Sequence, residues 1–80
     1  MTTEAWIEQT TTSLDGILRS EFGIAVDRAV LAHLVDRRRA SLARALQLPV
    51  ERAQAVMTED DVHELAEHIA RNRRASSAVA

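Results

Sequence analysis

The chain predicts an all-α fold: a small four-helix bundle with a short third helix. Three observations carry that expectation. Glycine occurs only at 16 and 23 and proline only at 49, so little interrupts the 80 residues. No stretch alternates apolar and polar residues in the manner of a strand. Apolar side chains recur instead at spacings of three and four, the period of a helix with one buried face.

The first helix is expected from about Thr3 to Glu21, with Trp6, Thr10, Leu14, Ile17 and Leu18 on its apolar stripe. The run Thr10-Thr11-Thr12-Ser13 is a poor helix former and invites fraying there. Phe22-Gly23-Ile24 ends the element, because glycine supplies the left-handed residue a helix terminus favours. Asp27 is placed to cap a second helix, which nothing interrupts before Leu46; a break near Arg39 to Ser41 is the alternative. Its stripe reads Val30, Leu31, Leu34 and Val35, then Leu42, Ala45 and Leu46. Pro49 suits the opening of a short third helix over Val50 to Val56. Thr58 with Asp61 forms a capping box for the fourth helix, where Glu59, Asp60 and Asp61 oppose the positive end of the helix dipole. Val62, Leu65, Ala66 and Ile69 make its buried stripe, and Arg71, Arg73 and Arg74 suit its end. Residues 1–74 thus form one domain, and 75–80 read as a disordered tail.

Size limits function. A chain of 80 residues buries only about 60% of its unfolded surface. An apolar share of 46% supports one core, mostly aliphatic because Trp6 and Phe22 are the only aromatics. Such a core leaves little room for a deep substrate cavity with a catalytic constellation, so the chain is read as non-enzymatic. Cysteine is absent, which removes disulfides, zinc knuckles and thiol chemistry. No basic region leads into an apolar run at the start, and no apolar stretch approaches the roughly 18 residues of a membrane span. The expected setting is cytoplasmic. A net charge of −2 argues against non-specific nucleic-acid binding.

The candidate chemistry is sparse. His63 and His68 are five apart, which turns them roughly 140° from each other on a helix, so they do not match the zinc-protease spacing and no metal site is expected. His63 and Glu67 share a face as an ion pair, and His33 is read as a partly buried structural residue. Ser13, Ser20 and Ser41 lack the glycine-flanked context of a hydrolase nucleophile. Arg37, Arg38, Arg39 and Arg44 form the one basic cluster, open to three readings: a solvated face, a docking surface for an acidic partner, or a phosphate-contacting surface.

Two resemblances add to this. "LPVERAQAVMTEDDV" (48–62) resembles the stretch of acyl and peptidyl carrier proteins that runs through helix three into helix four. "ILRSEFGIAVDRAVLAHLVDRRRASL" (17–42) is similar to the end of carrier helix one, its long loop and the Asp-Ser-Leu motif. That resemblance implies a carrier-like bundle in which Ser41 holds a phosphopantetheine arm and larger biosynthetic enzymes are the partners. The chain departs from the pattern where the chemistry sits. Ala40 replaces the acid before the serine, three arginines precede it, and the stretch from Ser41 to Thr58 is about three helical turns shorter than the family's. "SLARALQLPVERAQAVM" (41–57) resembles instead a helix-turn-helix DNA-binding regulator. That implies Glu51, Arg52 and Gln54 at bases and the arginine cluster at phosphates, with Gln47 where glycine is usual. The expected function is a non-catalytic carrier-like or docking protein, with the DNA-binding regulator as the alternative.

Overall fold

Among the described residues four helices follow in the order expected: α1 Thr3–Glu21, α2 Arg28–Leu46, α3 Val50–Val56 and α4 Glu59–Val79. This computed structural model describes the backbone of residues 2–79 and the side chains of 2–73. No strand occurs among the described residues. α1 packs on α2 and α4, while α3 packs on α2. The result is an all-α four-helix bundle with a short third member.

Local chemistry explains the boundaries. Thr2 caps α1, its hydroxyl accepting from the Ala5 amide at 3.1 Å. The threonine run does not break the helix. Thr12 returns its hydroxyl to the Glu8 carbonyl at 3.0 Å, and Thr11 is buried. After α1, Gly23 adopts φ 62°, and the Ile24 amide donates back to the Leu18 carbonyl at 2.9 Å. α2 is one uninterrupted helix. Asp27 occupies its cap position, yet the carboxylate makes no capping bond. The element is tied down elsewhere: Arg28 donates to Thr12 Oγ1 at 2.8 Å and to the Glu8 carbonyl at 3.1 Å, both on α1. α2 ends at Gln47, which takes the left-handed conformation (φ 55°, ψ 44°) while the Leu48 amide reaches the Ala43 carbonyl at 2.9 Å. The capping box of α4 forms in both directions, Asp61 N–H to Thr58 Oγ1 at 3.3 Å and Thr58 N–H to Asp61 Oδ2 at 2.8 Å. α4 continues beyond Arg71 and Arg73, so these arginines sit within the helix, and Arg73 donates to the Ala25 carbonyl at 3.3 Å. Of the expected tail, 75–79 continue the α4 backbone and Ala80 lies outside the described residues.

The core gathers Leu14 and Leu18 from α1, Leu31 and Val35 from α2, and Val62, Leu65 and Ala66 from α4. Trp6, Ile17, Phe22, Ile24, Met57 and Ile69 close around it, half-buried. The stripe expected for α2 is corrected at its margins. Val30 and Leu46 are 48% and 49% exposed, and Ala45 is exposed as well, whereas Ala43 is buried. The face that α2 actually buries passes through Leu31, Val35, Arg39 and Ala43, spaced by four.

Candidate functional site

An open groove of about 640 Å³ lies beside α1. One wall is the α1 face carrying Trp6, Thr10, Ser13, Ile17 and Glu21; the other is the α3–α4 corner with Met57 to Asp60, Val62 and His63. Its floor is apolar, built from half-buried Trp6, Ile17 and Met57 with buried Val62. Its rim is acidic, from Glu21, Glu59 and Asp60. α3 takes no part in this space. Its seven residues make only about two helical turns and pack on α2, and none of them lines the groove.

His63 is the single basic group of the groove lining among the described residues. Its Nε2 lies 2.9 Å from Glu21 Oε1 and its Nδ1 lies 3.5 Å from Glu67 Oε1, while its ring sits 6.3 Å from that of Phe22. The hydrogen bond and charge of Glu21 hold the imidazole above its ordinary value of 6.5. Desolvation opposes this, and the charges of Glu67 and Asp60 add to it. The expected His63–Glu67 pair is thus present as the longer of two contacts. His33, expected to be partly buried, is exposed on α2. Among the described residues no group of three or more His, Cys, Asp or Glu is arranged to hold a metal ion, and no helix is long and apolar enough to cross a membrane.

The arginine cluster does not form one surface. Arg39 turns inward, its side chain only 12% exposed. Its guanidinium lies 5.9 Å from the Trp6 ring centroid, donates to Asp36 at 2.6 Å and to Gln54 at 3.2 Å, and leaves Nε buried without a partner. It therefore links α1, α2 and α3. Arg38 reaches Glu64 of α4 at 3.2 Å. Arg37 and Arg44 remain exposed, seven positions apart and so on one side of α2. Ser41 lies between them, exposed in the interior of α2 rather than at a helix start. The carrier resemblance needs its serine at the opening of helix two, and α2 opens at Arg28, because Asp27 to Leu46 carries no residue that breaks a helix.

Sequence reasoning missed the groove. Trp6 and Ile17 pack against the core as the stripe predicts, but at its margin, roughly 60–80° around the helix from Leu14, where they also line the groove. That offset was the available signal. Comparison with protein-family models, curated proteins and solved structures gives no match.

Proposed function

We propose that the protein is a small non-catalytic docking module that presents the α1 groove to a larger protein. The observation that carries this reading is the groove itself: an apolar floor between α1 and the start of α4, under an acidic rim. Trp6, Ile17 and Met57 are only half-buried there, so a partner seated in the groove would remove further apolar area from water.

The two resemblances draw less support from the geometry. Ser41 has neither the helix-opening position nor the preceding acid that a phosphopantetheine attachment requires. The left-handed Gln47 suits the tight corner of a helix-turn-helix. However, Gln54 is engaged by Arg39, while Arg38 and Arg39 are committed to Glu64, Asp36 and Trp6. Arg37, Arg44 and Arg52 are then the exposed cations left for a nucleic acid at that corner.

Site-directed photocrosslinking tests the docking reading. A benzophenone side chain at Ser13, exposed in the groove wall, is compared with one at Ala40, exposed on α2 outside it. The expected outcome is a discrete adduct with a larger protein from Ser13 and none from Ala40. Equal labelling from both positions, or none from Ser13, overturns the reading. Identification of the adduct by mass spectrometry tells whether the partner is a biosynthetic enzyme, as the carrier resemblance suggests.

A further inference from the structure

Resting on the docking reading, we infer that the groove takes a cationic amphipathic helix of the partner, apolar side chains down and basic side chains towards the rim. Shape comes first. The α1 wall runs from Trp6 to Glu21, roughly 22 Å at the helical rise per residue, the length of about four turns. Trp6, Ile17, Met57 and Val62 offer a floor for residues spaced three and four apart, the usual helix-in-groove mode.

Charge decides the sign of the occupant. Three carboxylates converge on the rim, and His63, the one basic group of the lining among the described residues, is bound to Glu21. Glu59 and Asp60 have no ion-pair partner among the described residues. The other cation near the floor, Arg39 over Trp6, is held by Asp36 on α2. Two of the rim acids favour the start of α4 through its dipole, while Glu21 is held by His63. Glu21 sits in the last turn of α1, where the dipole disfavours a carboxylate, and still faces the same groove. Acids from opposite helix ends meeting over an apolar floor select a basic partner surface and steer its approach.

The test uses a synthetic leucine/lysine amphipathic peptide of about 15 residues, matched to the groove length. Its counterpart carries glutamate in place of lysine. Binding is followed by anisotropy of labelled peptide and by the emission of Trp6, the only tryptophan, which lies in the groove. The lysine peptide is expected to bind at physiological ionic strength and to shift Trp6 emission. Glu59→Gln with Asp60→Asn should weaken it by about 5-fold, as befits two partly screened rim charges. Glu4→Gln with Glu51→Gln removes the same formal charge outside the groove and should change it by less than about 2-fold. Absent binding, equal binding of the glutamate peptide, or equal weakening by both double variants overturns the inference. So does sedimentation as a dimer that Ile17→Glu dissolves, because the groove is then filled by a second copy. Crosslinking from Ser13 reports on the docking reading whatever the charge of the peptide, so the two failures are distinguishable.

Discussion

The arginine triplet offers a sharp test, because three consecutive identical residues have three different surroundings. Arg39→Ala removes a side chain that is 12% exposed. Burial of its methylene stem contributes about 2 kcal/mol. The contact with Trp6 contributes about 1 kcal/mol, the bond to Gln54 about 1.5 kcal/mol and the pair with half-exposed Asp36 about 0.5 kcal/mol. Against these stand about 1.5 kcal/mol of side-chain entropy and about 1.5 kcal/mol for the buried, unpartnered Nε. The net is about 2 kcal/mol, a fall in melting temperature of about 10 °C for a domain of this size. Arg38→Ala breaks an exposed pair with Glu64 and should cost less than about 1 kcal/mol. Arg37→Ala should stay within about 0.5 kcal/mol. Arg39→Met keeps the stem and removes the unpartnered donor, so it should recover most of the Arg39→Ala loss. Thermal and urea melts of the four variants supply the numbers. If the three alanine variants melt alike, Arg39 is a surface residue and its proposed role in joining α1, α2 and α3 is wrong.

Two further perturbations probe the core and the groove. Thr11 is 1% exposed and its hydroxyl has no partner, so Thr11→Val should raise stability by about 1 kcal/mol; a loss instead would mean that the hydroxyl is bonded in the fold. His63 should titrate above 6.5 by NMR and fall towards it in Glu21→Gln, whereas a midpoint unmoved by that change would remove Glu21 as the cause. The sign follows from linkage. With the folded value raised, the stabilisation from His63 is complete below the unfolded value and is lost as pH rises through the folded one. Over the same interval the groove loses the positive charge of His63, so the lysine peptide should bind more tightly.

Much of the architecture was written locally. Gly23, Pro49 and the Thr58–Asp61 box act within one turn of the chain, and each lies where its chemistry demands. Such signals need no neighbour in space to operate, which is why four helices and their order follow from residue types alone. The phase of α2 was less legible. Val30 to Val35 offers apolar residues on two adjacent faces, and Arg39 hides the continuation of the correct one from any count of apolar residues. Leu31, Val35, Arg39 and Ala43 at intervals of four were nonetheless present to be read, since an arginine can bury its stem while its guanidinium finds partners.

Residue order by itself determined the four rods, the Thr58–Asp61 cap and the aliphatic material between them, because backbone propensity and local capping are decided within a few residues. Only the packed chain decided that Arg39 lies under Trp6 while Arg37 faces solvent, that Glu21 meets His63 across 42 positions, and that α1 keeps an uncovered face. Those outcomes depend on how helices rotate against one another, and that rotation is set by the competition of whole faces for one small core.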